Sequence, residues 1–295
     1  MLDLNDLYTW CRVPAEELTS HPLRKMPFRI VKDRVELGET MARDFIEDIK
    51  AAEGRTYRAI VPCGPKDWYA PFARIVNEER ISLRNMICYH MDENLDWEAK
   101  LLPENDPSNF RTFMHRHFYE AVDAELQVLE PNRRYLTPET VKPISDEILA
   151  HDIDYTLGGW GQDGHIAFNQ AKRNPYAVVT IDDIRHSTAR VQENNIDTII
   201  ALSQREFGSA WQFLPPMSVT LGIKECLSAR KVRLYSDTGS WKQTALRVAL
   251  FSEVTAEYPI TLLQDHPDAL LTASYATADH PISRHPEWEF TGINT

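Results

Sequence analysis

"IDYTLGGWGQDGHIAFNQ", residues 153 to 170, runs a short apolar segment into a turn with four glycines, then places Asp163 and His165 two residues apart. "IDYTL" reads as a buried strand. A chain that leaves a strand through glycines and at once presents a carboxylate and an imidazole is built like the strand-end loops of open α/β sheets. In such sheets, ligands bind in the crevice beyond the carboxyl ends of the strands.

The surrounding pattern agrees with that setting. "FRIV" (28–31), "YRAIVPC" (57–63), "MICYHM" (86–91) and "VRLYS" (232–236) are further strand candidates, and "ITLLQ" and "ALLTASY" close the series. Between them, Leu37, Met41, Phe45 and Ile49 recur every fourth residue as one apolar helix face. "DWYAPFARIVNEE", "NFRTFMHRHFYEAV" and "WKQTALRVALF" read as helices. Short strands alternating with helices predict an α/β fold: a doubly wound, mostly parallel sheet with helices on both faces, Rossmann-like, in a single domain. Residues 28–280 form that domain. Residues 1–27, punctuated by proline and charge, read as an irregular arm, and 281–295 as an irregular tail.

The chain has 295 residues and a formal net charge of −12. A field of that sign disfavours non-specific binding to nucleic acid or anionic membrane, and any anionic substrate must be held by locally placed cations. The four cysteines (Cys11, Cys63, Cys88 and Cys226) show no paired metal spacing and suit reduced thiols in a cytoplasmic protein. No apolar run approaches a membrane span, and "MLDLNDLYTW" lacks the basic start and apolar centre of a signal peptide.

Four stretches follow strand candidates directly: "PCGPKDWY" (62–69), "MDEN" (91–94), "GGWGQDGH" (158–165) and "DTGSWK" (237–242). Asp163 beside His165 fixes a tautomer and supplies a general acid or base near neutral pH. The glycines around them, Gly159 included, let a ligand approach the backbone. Asp92 and Glu93 follow "MICYHM"; a partly desolvated carboxylate there can take a proton alpha to a carbonyl, although the pair alone reads as a solvated loop. Lys242, in the first turn of a helix capped by Ser240, opposes the helix dipole unless an anion occupies that helix end. Arg190, in "RHSTARV", offers a bidentate partner for a phosphate, and taken singly is an ordinary surface arginine.

These pieces resemble the glucosamine-6-phosphate deaminase/isomerase family, within the superfamily that includes 6-phosphogluconolactonases. The resemblance runs from about Phe28 to about Ala276 and is strongest in "GQDGHIAFN". It is supported by "HMDEN", by "FRTFMHRHFYEAV" and by "SVTLGIKECLSARKVRLYSDTGSWKQTAL". It implies an amino-sugar 6-phosphate substrate, with His165, oriented by Asp163, opening the pyranose ring. Asp92 then moves the C2 proton to C1 as the amine is lost. Arg190 and Lys242 fall on phosphate-binding positions, and no metal or organic cofactor is required. A homo-oligomer is expected, with residues 1–27 as an arm.

The departures are specific. Where the family has a threonine- and glycine-rich phosphate loop, this chain has "VPCGPKDWY", with Gly64 and Lys66 as the candidate binding groups. His90 and Asn94 replace a family asparagine and tyrosine. Gln170 stands where the family has a glutamate; it keeps a hydrogen bond near His165 but cannot ionise. "AKRNP" replaces a small-residue run that carries allosteric contacts, so no such regulation is expected. Two alternatives stay open: a related isomerase or lactonase acting on another sugar phosphate, and a catalytically weakened sugar-phosphate-binding protein.

Overall fold

A computed structural model describes residues 2–52, 54–172, 174 and 176–289. Its strands are β1 (Phe28–Val31), β2 (Tyr57–Val61), β3 (Met86–His90), β4 (Asp92–Leu95), β5 (Arg133–Arg134), β6 (Tyr155–Gly158), β7 (Arg190–Glu193), β8 (Met217–Thr220), β9 (Lys231–Ser236) and β10 (Ala269–Ser274). The α-helices are α1 (Leu4–Cys11), α2 (Arg34–Ala51), α3 (Tyr69–Glu78), α4 (Phe110–Met114), α5 (Val141–Leu149), α6 (Ile181–Arg185), α7 (Ile196–Glu206), α8 (Ile223–Cys226), α9 (Gln243–Phe251), α10 (Tyr275–Ala278) and α11 (Pro281–Arg284).

Seven strands form one sheet in the order β1-β10-β9-β6-β2-β3-β5, and every pairing in it is parallel. Both faces are covered, because alternate residues of a strand point to opposite sides. Ile60, Tyr89 and Leu234 join a core with α5, α8 and α9. Ala59, Cys88 and Tyr235 join a second core with α2 and α3. The predicted stripe Leu37, Met41, Phe45 and Ile49 is the buried face of α2. The α/β, doubly wound reading therefore holds.

The chain adds β2, β3 and β5 outward in one direction and β6, β9 and β10 in the other. The order reverses between β2 and β6, which places the ligand crevice at the loops that leave those two strands.

Three features differ from the sequence reading. A second, antiparallel sheet of three strands, β4-β8-β7, was not anticipated. "MDEN" was expected as a loop, yet Asp92–Leu95 is one of its strands, paired with β8. "ITLLQ" lies in a 3-10 turn, Pro259–Asp265, not a strand.

The arm is ordered. Asp3 caps α1 by accepting from the backbone N–H groups of Asn5 and Asp6, and Ala15 and Leu18 are buried in the main core. Arg247 of α9, fully buried, donates through Nη2 to the carbonyls of Val13 and Ala278. Proline spacing in this segment marks turns between docked pieces, which composition cannot distinguish from irregular chain. In the expected tail, Pro281–Arg284 is helical and 290–295 lie outside the described residues. So do Arg173 and Pro175 of "AKRNP".

Candidate active site

A cleft of about 830 Å³ opens at the carboxyl ends of the parallel strands. Residues that follow β1 (Lys32, Arg34), β2 (Gly64, Lys66), β3 (Asp92), β6 (Gly159, His165) and β9 (Asp237, Lys242) line it, together with Thr198, Leu202 and Arg205 of α7. Of the residues singled out in the sequence, Gly64, Lys66, Asp92, Gly159, His165 and Lys242 share this cleft. Asp163, Glu93, Gln170 and Arg190 do not line it.

Asp92 sits where the chain crosses from one sheet to the other: β3 ends at His90, and β4 begins two residues on. Burial raises its carboxyl to about 7, and the Glu93 charge adds to the rise. Glu93 faces the other way. Its carboxylate accepts from the backbone N–H groups of Asn94 (2.8 Å), Phe110 (2.8 Å) and Arg111 (2.6 Å), so it caps the first turn of α4. Burial lifts Glu93 as well, to about 7, against those N–H groups. Glu93, a candidate substrate-binding group by its place beside Asp92, thus has its carboxylate engaged in the wall behind Asp92 and does not line the cleft. His90 and Asn94 are structural here too. Buried His90 shares its Nε2 with the Tyr119 hydroxyl (2.8 Å), and Asn94 donates to the Ser108 carbonyl.

The loop after β6 is shaped by close approach. A Cβ on Gly161 would sit 2.1 Å from His165 Cε1, and Gly164 has φ +72. Only glycine allows the imidazole to lie against the backbone at the first position and a left-handed turn at the second. His165 Nδ1 is 2.7 Å from Asp163 Oδ1, so an Nδ1–H donated to the carboxylate leaves Nε2 as the ring's free nitrogen. Burial alone would raise the Asp163 carboxyl, but the His165 ring, the Gln170 amide and the His165 backbone N–H hold it well below the usual carboxylate range.

Gln170 stands behind the dyad. Its Nε2 donates to Asp163 Oδ2 (2.8 Å) and to Thr198 Oγ1 (2.6 Å), and lies 2.9 Å from His165 Nδ1. The opposite amide orientation would set two acceptors, Oε1 and the Asp163 carboxylate, against each other. The orientation leaves buried Oε1 without a partner among the described residues, at a cost of about 1–3 kcal/mol. A glutamate here would bring a second carboxylate against Asp163. Gln170, a candidate substrate-binding group by its place in the sequence, is instead engaged with Asp163 and Thr198 and does not line the cleft.

The cationic end of the cleft differs from expectation in two ways. Arg190 lies in β7, and its Nη1 donates to Asn169 Oδ1 (2.9 Å) and the Thr188 carbonyl (3.2 Å). The expected convergence of Arg190 with Lys242 is absent. Ser240 makes no cap: it belongs to a 3-10 turn, Gly239–Trp241, and Lys242 itself occupies the N-cap position of α9. Burial, then the charge of Arg205, lowers Lys242 to about 8. The Arg205 guanidinium lies 5.4 Å from the centre of the Trp241 ring.

Neither Arg205 nor Lys242 has a carboxylate within ion-pair distance among the described residues, whereas Arg34 is matched by Asp67 (2.5 Å) and Asp237 (3.3 Å). Lys66 lies over the Phe113 ring at 4.4 Å. Arg205 was missed in the sequence. The signal that points to it is the spacing of Thr198, Leu202 and Arg205, which puts them on one face of a helix. Among the described residues no group of three or more His, Cys, Asp or Glu side chains could hold a metal ion. No helix there is long and apolar enough to cross a membrane.

Comparison with known proteins bears on this geometry. No family model matches the chain. A solved "monomeric glucosamine-6-phosphate deaminase" superposes with a TM-score of 0.71 at 23% identity, covering 86% of this chain and 99% of its own. The 6-phosphogluconolactonase from Trypanosoma cruzi gives 0.60 at 15%, covering 88% and 98%. At such identities these two establish the shared fold. Among curated sequences, the glucosamine-6-phosphate deaminase of Aeromonas hydrophila is 29% identical over 234 residues, 77% of this chain and 81% of its own length. That of Porphyromonas gingivalis is 30% identical over 246 residues, 80% and 87%. With this degree of identity across nearly the whole relative, and a strand-end cleft lined by Asp92 and by His165, which Asp163 orients from behind, the chain belongs to the glucosamine-6-phosphate deaminase family.

Proposed function

We propose that this protein converts an amino-sugar 6-phosphate, glucosamine 6-phosphate first, into the ketose 6-phosphate with release of ammonia. One observation carries the reading. Asp92 is a desolvated carboxyl at about 7 that faces the same cleft as a histidine oriented by its own aspartate. Abstraction of a proton alpha to a carbonyl calls for a base with that proton affinity, and ring opening calls for a separate proton shuttle.

His165 Nε2 takes the O1 proton of the pyranose and delivers it to O5 as the C1–O5 bond breaks. Asp92 removes the C2 proton from the open aldehyde and returns it at C1, while one proton of the substrate's ammonium group passes to O1. The C2 iminium that results takes up water, and its collapse to the ketone expels ammonia. Lys242 and Arg205, two cations without carboxylate partners among the described residues, hold the phosphate, with Lys66 as a further cation in the same cleft. Arg190 supports the wall through Asn169. Four unpaired, buried thiols suit the cytoplasm. A homo-oligomer belongs to this reading and is checked by light scattering.

The test is to incubate the protein with glucosamine 6-phosphate in deuterated water. Ammonia, fructose 6-phosphate and loss of the C2 proton to solvent support the assignment. Hydrolysis of 6-phosphogluconolactone without ammonia release would replace it by the lactonase alternative, and tight binding without turnover by the binding-protein alternative.

A further inference from the structure

We propose that Thr198 and Gln170 are positioning residues for the Asp163–His165 pair: Thr198 on α7 holds the Gln170 amide, which in turn holds the Asp163 carboxylate in the rotation that fixes the histidine tautomer. The inference rests on the reading of that pair as the site's proton shuttle.

The geometry is a chain of contacts across three segments. Asp163 uses one oxygen for each neighbour: Oδ1 for His165 Nδ1 at 2.7 Å and Oδ2 for Gln170 Nε2 at 2.8 Å. With both oxygens engaged, the carboxylate cannot turn about its own axis. Gln170 has two N–H donors, and the second goes to Thr198 Oγ1 at 2.6 Å. Its acceptor, Oε1, is left buried and unpartnered among the described residues. The side chain is thus set by its donors alone, and the acceptor contributes nothing to the orientation.

Thr198 is 7% exposed and borders the cleft, and α7 reaches the cationic end through Arg205 on the same face. A hydroxyl on a mouth helix therefore determines how the amide behind the dyad is oriented. Without it, the amide is free to rotate, Oδ2 loses its donor, and His165 Nδ1–H no longer meets a fixed oxygen. His165 then divides between its two neutral tautomers, and only the one with a bare Nε2 can start ring opening.

The decisive measurement is ¹⁵N NMR of the histidine ring nitrogens in the full chain without ligand, beside steady-state kinetics with glucosamine 6-phosphate. In the parent, His165 shows the Nδ1–H tautomer alone. Thr198→Val keeps the shape and removes the hydroxyl. It shows both tautomers at neutral pH, a kcat lowered about tenfold, and a KM within about twofold of the parent. Thr198→Ser restores the single tautomer and the rate. Gln170→Met, of similar size without donors, reproduces the Thr198→Val result and serves if that variant does not fold.

A single Nδ1–H tautomer in a folded Thr198→Val or Gln170→Met overturns the proposal, as does a mixed tautomer with unchanged kcat. If the parent releases no ammonia from glucosamine 6-phosphate, the functional reading fails. The tautomer readout then still decides the positioning claim.

Discussion

Two aspartates at the carboxyl ends of strands that flank β2 have been driven in opposite directions. Asp92, past β3, has burial and the Glu93 charge against ionisation and no hydrogen-bond donor among the described residues, and rises to about 7. Asp163, past β6, is also buried, yet the His165 ring and the Gln170 amide hold it well below the usual carboxylate range. The difference lies in the donors each loop supplies. A carboxylate without donors in an apolar wall becomes a base strong enough to take a carbon-bound proton. One with donors on both oxygens stays charged, and orients its neighbour.

The sharpest way to break this comparison is to neutralise each aspartate in turn. Asp92→Asn is expected to lower kcat by about 10²–10⁴-fold and abolish exchange of the C2 proton, with phosphorylated-sugar binding retained. Retained exchange in that variant would remove Asp92 from the role of base. Asp163→Asn is expected to cost toward the lower end of that range, roughly 10²-fold, because an amide has a single acceptor for both His165 and Gln170. Its pH–rate profile should keep the acidic limb of the parent. If that limb vanishes in Asp163→Asn but persists in Asp92→Asn, the two roles are reversed.

The cationic end of the cleft gives a smaller effect. Lys242→Ala or Arg205→Ala should weaken binding of a phosphorylated sugar relative to its unphosphorylated analogue by about 1.5–3 kcal/mol, the value of one charge-assisted hydrogen bond. Calorimetry with the two ligands measures it. Equal losses for both ligands would place the phosphate elsewhere.

The pH profile sharpens the contrast without mutation. Asp92 must be ionised to act, so kcat/KM should rise with pH through about 7. Lys242 must be protonated to hold the phosphate, so kcat/KM should fall as pH passes about 8. Bound phosphate favours the charged amine, so the alkaline limb of kcat itself should lie at higher pH than that of kcat/KM.

The smallest change is expected at Arg190. Since its Nη1 is held by Asn169 and the Thr188 carbonyl and the residue does not line the cleft, Arg190→Lys should alter the preference for the phosphorylated ligand by no more than about twofold. That is well under the cost of losing a charge-assisted bond. A loss as large as that of Arg205→Ala would restore the phosphate role expected from the sequence.

Much of this was legible in the chain before folding. The stripe of α2, the strand candidates, and the turn from β6 into Asp163 and His165 could all be read. Each is written in residues close together in sequence, through side-chain period or the need for glycine. The same proximity explains the misses. Asp92 and Glu93 read as a solvated loop because β8, which pairs with them, lies over a hundred residues downstream. Arg190 and Arg205 are chemically identical in sequence; only the folded chain turns one into the wall and the other into the cleft.

By itself the sequence determined the parallel α/β architecture, the strand-end placement of the site and the pairing of Asp163 with His165. Those depend on short-range periodicity and on a spacing of two residues. Tertiary structure alone decided which aspartate is raised and which lowered, which arginine lines the cleft, and that Gln170 is hydrogen-bonded to Thr198. Proton affinity and hydrogen-bond partnership are set by desolvation and by groups brought together from distant parts of the chain, and no local pattern encodes them.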